Sequence, residues 1–516
     1  MERTMENTTL GAMLARSAER WGPKCALQFG PTQLSYEELD RSVARLAGGL
    51  AGLGVEAGDR VALLLPNCPQ FPLSYLAAVR LGATVVPINV LLTAREMQHI
   101  LTDSRPRALI TTSALPGIAE HLAALGSAID HIVLSGNSPV DGTHSFEAMV
   151  QTAEPIRTAS RAEPDDVAAI VYTSGTTGVP KGAMLSHHNL LCNSAACAEM
   201  IQVSEQDHFL CVLPLFHSFA ATVCMILPLL IGATTTLMPR FAAMDVLRTM
   251  AREGITVFAG VPAMYAVMLG VRSQEQFDLS HVRMCVSGGA PLPVAVLEGF
   301  TKRYAVTLLE GYGPTEASPV VSVNPYDGVQ KPGSVGLPLP AVAVNIVDDD
   351  GAELPTGEVG EILVRGDNVM QGYYQRPDDT AETVRDGWLY TGDMGRLDED
   401  GYLYILGRKK DLIIVGGMNV YPGEVEAVLL EHPAVAEAAA VGASGSLRGE
   451  EVVAFVVLQE GCTATGQQLI ELCGGALAKF KVPRHIAFVD QLPRSGTGKV
   501  LKSELRSMVA QRRARP

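Results

Sequence analysis

The chain has 516 residues, 47% hydrophobic and 18% charged, with a formal net charge of −15 at pH 7. This is globular composition in a chain too long for one core, and the acidic balance leaves no basic stripe for nucleic acid. Nine scattered cysteines (25, 68, 192, 197, 211, 224, 285, 462, 473) without a CxxC pair point to buried thiols in a reducing compartment, not to a disulfide framework or a zinc site. In chain order, the start MERTMENTTLGAML carries acidic residues and no apolar segment, unlike a secretory signal. Apolar spacing with Ser35 and Glu38 predicts a capped helix over 34–53. Strands are expected at 60–65 and 83–87 around an apolar helix at 72–81. Alternating strands and helices recur through 107–134, 167–201 and 232–310, the pattern of βαβ units and parallel sheets. The most apolar stretch, 220–237, is interrupted by Pro228 and Gly232 and falls short of a membrane span. From about 333 the texture changes to short strands (342–347, 360–365, 402–406) between Gly/Asp turns, a small β-rich subdomain. After the polar break at 407–411 come a helix at 423–431, strands at 435–441 and 451–458, a helix at 467–479 and a strand at 485–489. The fold class is α/β: a large N-terminal domain (1–407) of parallel-rich sheets with its β-rich subdomain, then a small α+β C-terminal domain (412–516). The expected location is the cytoplasm, with peripheral membrane contact left open.

Chemistry concentrates in a few segments. Tyr172 to Gly182 reads YTSGTTGVPKG: the apolar run 167–171 leads into Thr173, Ser174, Gly175, Thr176, Thr177 and Gly178, closing on Lys181. Glycines let backbone N–H groups approach a polyphosphate, the hydroxyls donate to it and the lysine adds charge. It is not a Walker A loop, because Pro180-Lys181-Gly182 stands where Gly-Lys-Ser/Thr is needed, and 495–499 (SGTGK) fails the same test. In Gly311-Tyr312-Gly313-Pro314-Thr315-Glu316 the glycines make room for a flat base, Tyr312 offers a ring, and Glu316 is a hard oxygen ligand suited to Mg²⁺. Ser287-Gly288-Gly289-Ala290-Pro291 is small enough for a ligand to lie on backbone. Asp393 follows the turn-like Thr391-Gly392, His217 stands in an apolar stretch, and Lys499 ends a glycine-flexible turn.

These motifs, in this order and over nearly the whole length, resemble the adenylate-forming superfamily of acyl- and aryl-CoA synthetases, peptide-synthetase adenylation domains and beetle luciferases. The resemblance implies ATP, Mg²⁺ and coenzyme A as cofactor and co-substrates. It places Thr173 to Gly178 and Lys181 on the phosphates, with Thr176 and Glu316 on the metal. Tyr312 would stack on adenine between Gly311 and Gly313, against a wall of Gly289, Ala290 and Pro291. Thr315 would touch the α-phosphate, Asp393 the ribose hydroxyls, and Arg408 the ribose and phosphate region. Residues 408–411 become a hinge centred on Lys410, making the C-terminal domain mobile. Gly416 and Gly417 would border the pantetheine tunnel, Asn419 would lie near the phosphate, and Lys499 would bridge acyl carboxylate and α-phosphate. His217 would gate the acyl pocket. One departure is that 442–450 reads GASGSLRGE where relatives often carry a Pro-Asp turn.

The implied reaction is ATP-dependent activation of a small-molecule carboxylic acid as its acyl-adenylate, then thioester formation with CoA. The segments that the resemblance assigns to the acid pocket, 216–227, 258–264 and 287–290, hold no lysine, arginine, aspartate or glutamate, which favours an apolar monocarboxylate, namely a medium- to long-chain fatty acid. Gly260 and Gly289 are expected to leave that pocket deep, so that Gly260→Leu would shorten the preferred acid. The alternatives are an aryl-CoA ligase, an adenylating enzyme serving a carrier protein, and a non-catalytic nucleotide-binding homologue. No carrier domain is expected downstream, and the oligomeric state is open, a homodimer being compatible.

Overall fold

The computed structural model describes residues 8–118, 129–136, 140–157, 162–173, 180–273, 275–415, 418–446, 449–494 and 500–513. Two large sheets dominate the N-terminal part. In the first, strands Thr84–Pro87, Arg60–Leu64, Ala108–Thr112, His131–Ser135 and His144–Ser145 run parallel, and Val167–Thr173 joins parallel to Thr84–Pro87. The chain then doubles back: Lys181–Ser186 pairs antiparallel with Val167–Thr173, and Gly372–Tyr373 closes that edge. Sequence periodicity anticipates the parallel strands, but not this antiparallel return. In the second sheet, Thr307–Tyr312, Met284–Ser287, Val257–Gly260, His208–Cys211, Thr234–Leu237 and Cys25–Phe29 run parallel. Their near-continuous apolar runs suit strands covered on both faces: Val257 to Gly260 and Met284 to Ser287 are buried throughout.

Helices Tyr36–Gly52, Gln70–Arg80 and His187–Met200 fill the space between the sheets, contributing Leu39, Leu46, Leu76 and Leu190 to one continuous core. The first is closed by the expected capping box: Ser35 Oγ accepts from Glu38 N at 3.2 Å while the Glu38 carboxylate accepts from Ser35 N at 2.8 Å. The apolar stretch 220–237 is core rather than membrane. It forms a π-helical turn Ala221–Ile226, helix Leu227–Ile231 and strand Thr234–Leu237, all largely buried. No helix among the described residues is long and apolar enough to cross a membrane.

The β-rich subdomain is an antiparallel sheet of Ala343–Val347, Gly360–Arg365, Trp388–Leu397 and Val384–Arg385, with Leu403–Arg408 on Trp388–Leu397. A 3₁₀ turn, Lys409–Asp411, follows. The small C-terminal domain then builds its own sheet from Ile413–Val415, Met418–Val420, the long hairpin Val435–Ser446 with Gly449–Leu458, and His485–Phe488, covered by Pro422–Leu430, Gly466–Ala476 and Lys502–Arg513. Where relatives often turn at Pro-Asp, this chain continues its strand to Ser446. All nine cysteines are free, five buried as expected, but Cys25, Cys68 and Cys192 are half-buried and Cys462 is exposed.

Candidate active site

The motifs converge because they sit at the carboxyl ends of parallel strands, where α/β sheets bind ligands. Val167–Thr173 ends the first sheet at Thr173, and Thr307–Tyr312 carries the second sheet into the 3₁₀ turn Thr315–Ala317. Thr173 Oγ1 donates to Glu316 Oε1 at 3.3 Å, so the two sheets meet at this carboxylate. The Tyr373 hydroxyl donates to the same oxygen at 2.9 Å. Ser218 Oγ lies 3.1 Å from Thr315 Oγ1, joining the His217 stretch to the same point. His217 itself caps the short helix Ser218–Ala220, its Nδ1 accepting from Phe219 N at 3.2 Å.

Ser174, Gly175, Thr176, Thr177 and Gly178 lie outside the described residues, as do Gly416, Gly417 and Lys499. Helix Ala94–Ser104 holds the residues on either side of 174–179: Asp103 accepts from the Tyr172 hydroxyl at 2.6 Å, and His99 Nε2 lies 3.3 Å from the Pro180 carbonyl. Lys181 begins the return strand, and its ammonium pairs with Asp379 over the ring of Tyr373. The charge that the motif contributes is therefore already paired.

A second cluster lies beside Tyr312, whose hydroxyl donates to Asp393 Oδ2 at 2.6 Å, while Arg408 Nε meets Asp393 Oδ1 at 2.6 Å. Asp393 is buried inside strand Trp388–Leu397, not placed after a turn; Gly392 at φ 68° bends the strand just before it. Each carboxylate oxygen keeps a second lone pair, so it can still accept a ribose hydroxyl. Burial and the facing Asp393 push the Tyr312 phenol well above its ordinary range, keeping its proton in place as a donor.

Gly289, Ala290 and Pro291 form an exposed loop after Met284–Ser287, with Gly289 at φ 80°. Sequence reading passed over its brace, Glu310, opposite Ser287 in register: its Oε1 accepts from Leu292 N at 2.8 Å, and burial pushes the acid up to about 8. Gly288 faces Phe219, where an added Cβ would come within 3.2 Å of the ring, so the wall and the His217 helix do meet. Asn419 is exposed on Met418–Val420, and no described contact brings it to the phosphate cluster.

The expectation for Gly260 needs correction. A Cβ there would stand 3.1 Å from the ring of Tyr265, a fully buried side chain whose hydroxyl donates to the Val286 carbonyl at 2.8 Å. Gly260 thus packs against a second core rather than lining an acyl channel. Gly260→Leu is expected to destabilise by about 1–3 kcal/mol through overpacking, read as a lowered melting temperature. A leucine variant that keeps the wild-type melting temperature and shifts the preferred acid would restore the earlier reading.

A cavity of about 10 Å³ lies instead beside the π-helical turn, lined by Val171 and Leu185 of the first sheet, by Tyr75 and Leu190 of helices Gln70–Arg80 and His187–Met200, and by Phe216, Ser218 and Ala221. No charged residue lines it. The first-sheet residues were not part of the sequence expectation, because their approach to Phe216 depends on how the sheets stack.

Mg²⁺ usually takes one or two protein carboxylates and completes its shell with phosphate oxygens and water. Among the described residues no three metal-ligating side chains cluster, and no cation lies within ion-pair distance of Glu316. Two hydroxyls occupy Oε1 of Glu316, and no described donor meets Oε2. That donor set fits the metal.

Comparison with known proteins identifies the family. Residues 14–374 match the AMP-binding enzyme family, and residues 424–499 match the AMP-binding enzyme C-terminal domain. The chain is 38% identical to a long-chain-fatty-acid–CoA ligase of Bacillus subtilis, covering 98% of this chain and 95% of that protein. It is also 38% identical to a feruloyl-CoA synthase of an Amycolatopsis species, covering 97% and 99%. A crystal structure of an anthranilate CoA ligase with anthranoyl-AMP superposes with a TM-score of 0.92 at 30% identity, covering 99% of this chain and 98% of that one.

Proposed function

From the chain's membership of the AMP-binding enzyme family, as an AMP-forming acid–thiol ligase, we propose that it activates an apolar monocarboxylate of medium to long chain. ATP and the acid give an acyl-adenylate and pyrophosphate, and CoA then displaces AMP to leave the thioester. The observation carrying the substrate assignment is the uncharged cavity beside Phe216 and Ser218, next to His217 and the Thr315–Glu316 cluster. A second carboxylate buried there would lack a counter-cation. Because the cavity admits only a water-sized sphere, a chain entering it displaces side chains such as Leu190.

In this reading Glu316 holds Mg²⁺, which when bound neutralises phosphate charge. Tyr312 and Asp393 seat adenine and ribose, Thr315 meets the α-phosphate, and Lys499 lies between the two reacting anions. No general base is required, since the carboxylate nucleophile is ionised at pH 7. Arg408, already paired with Asp393, orients the ribose side, and His217 lies at the mouth of the acyl channel.

The test is pyrophosphate release across acids of graded length. Each methylene taken from water into an apolar channel contributes about 0.8 kcal/mol, so preference should rise nearly fourfold per carbon until the floor is reached. Leu190→Ala, which widens the cavity, should move the optimum to longer acids. A flat profile, or malonate as best substrate, would overturn the assignment. An aryl acid is the second reading, favoured by the equal identity to the feruloyl-CoA synthase and by the Phe219 ring packed beside Gly288. A substituted cinnamate or benzoate surpassing octanoate would select it.

A further inference from the structure

We propose that Tyr373 is a positioning residue shared by the two charged groups of the phosphate site: its hydroxyl orients the Glu316 carboxylate, and its ring seats the Lys181 ammonium. The proposal rests on reading Glu316 as the Mg²⁺ ligand. Tyr373 stands in a two-residue strand paired antiparallel to Lys181–Ser186, opposite Ala183. Its backbone is tied on both sides, with Tyr373 N donating to Thr380 Oγ1 at 2.8 Å and Tyr374 N to the Gly182 carbonyl at 2.8 Å. The ring has little freedom to move.

The ring's polar end and its face do different things. The hydroxyl donates to Glu316 Oε1 at 2.9 Å, closer than the 3.3 Å contact from Thr173, and a donor on a charged acceptor makes a comparatively strong hydrogen bond. The same segment fixes the glutamate backbone, Met370 N donating to the Glu316 carbonyl at 2.8 Å. With Oε1 held by two hydroxyls, the carboxylate cannot swivel and Oε2 is presented in one direction. The ring face lies 5.3 Å from Lys181 Nζ, and Asp379 pairs with that ammonium. A lysine on a flexible four-carbon stem would otherwise sample many positions. Here the aromatic face and Asp379 confine it.

The two roles separate experimentally. Tyr373→Phe keeps the ring and removes the hydroxyl; Tyr373→Leu removes both. Full-length protein is titrated with a fluorescent ATP analogue without metal, and Mn²⁺ binding to the nucleotide complex is followed by electron paramagnetic resonance. Tyr373→Phe should weaken Mn²⁺ binding about tenfold and leave metal-free nucleotide affinity unchanged. In turnover it should raise KM for Mg-ATP with kcat little altered, and excess Mg²⁺ should restore the rate. Tyr373→Leu should weaken both metal and metal-free nucleotide binding.

A phenylalanine variant with wild-type Mn²⁺ affinity, alongside a Glu316→Gln control that loses it, would overturn the role of Tyr373. A Glu316→Gln control that also retains it would overturn the metal assignment, and the proposal with it. Equal loss of metal-free binding in the phenylalanine variant would reduce Tyr373 to a structural residue and overturn the proposal. Acid-dependent pyrophosphate release by the wild type, measured first, keeps the activity itself a separate question.

Discussion

Lys499→Ala is expected to slow acyl-adenylate formation a few hundredfold while leaving thioester formation from supplied acyl-adenylate near the wild-type rate. The first half-reaction brings a carboxylate against a triphosphate, and a cation between them relieves most repulsion in the transition state, where such contacts are worth about 3–4 kcal/mol. The second half-reaction, a thiol displacing AMP, has no such pair of approaching anions. Lys499 lies outside the described residues. On either side of it, Arg494 and Val500 form an antiparallel bridge, and Leu501 N donates to the Pro493 carbonyl at 2.8 Å. Arg494 pairs with Glu437 and Lys502 with Glu426, both at 2.7 Å, which ties these flanking residues to the C-terminal sheet and helix. Pyrophosphate exchange and CoA-dependent AMP release, measured separately, decide the matter: equal loss in both would remove Lys499 from its assigned step.

Where an element depends on local pattern, the sequence was enough to read it. The capping box at Ser35 and the strands expected at 60–65 and 83–87 depend on neighbours within a few residues, and each is found within a residue or two of its expected place. The site motifs were legible for the same reason, since each is a contiguous loop at a strand end. What pattern could not give was pairing across long separations. Tyr373 reaches Glu316 because Gly372–Tyr373 pairs with a strand some 190 residues earlier, and Asp379 meets Lys181 through the same closure. Gly372-Tyr373-Tyr374 before Pro377 was the available signal, but an aromatic pair ahead of a proline has no distinctive chemistry by itself. Gly260 shows the opposite error: the family resemblance implied space there, yet Tyr265 from the next helix fills it. Asp393 looked like a turn residue because Thr-Gly-Asp often turns. In the fold those three residues bend a strand without ending it.

Lys410→Pro should do the reverse of Lys499→Ala, preserving adenylate formation and reducing CoA-dependent AMP release on the order of a hundredfold, the cost of a misplaced reacting group. The residues on each side of Lys410 are tied down in opposite directions. Arg408 is paired to Asp393, and Lys409 reaches Glu361 and Asp349, each at 3.0 Å, so both belong to the large domain. Asp411 is held from the other direction by Arg506 on the C-terminal helix at 2.5 Å. Lys410 is the residue left between these anchors, in a 3₁₀ turn that passes from extended Arg408 to extended Leu412. A rotation of the small domain that keeps both sets of ion pairs must turn the backbone there. Proline locks φ near −65° and also disfavours the helical conformation of the residue before it, so it withdraws that freedom. Lys410→Ala separates backbone from charge: burial already holds this ammonium below its ordinary pKa, and alanine keeps φ free, so both half-reactions should survive. If proline and alanine lose the second half-reaction equally, the lysine side chain rather than the hinge is responsible; if proline leaves both half-reactions intact, the domain turns elsewhere.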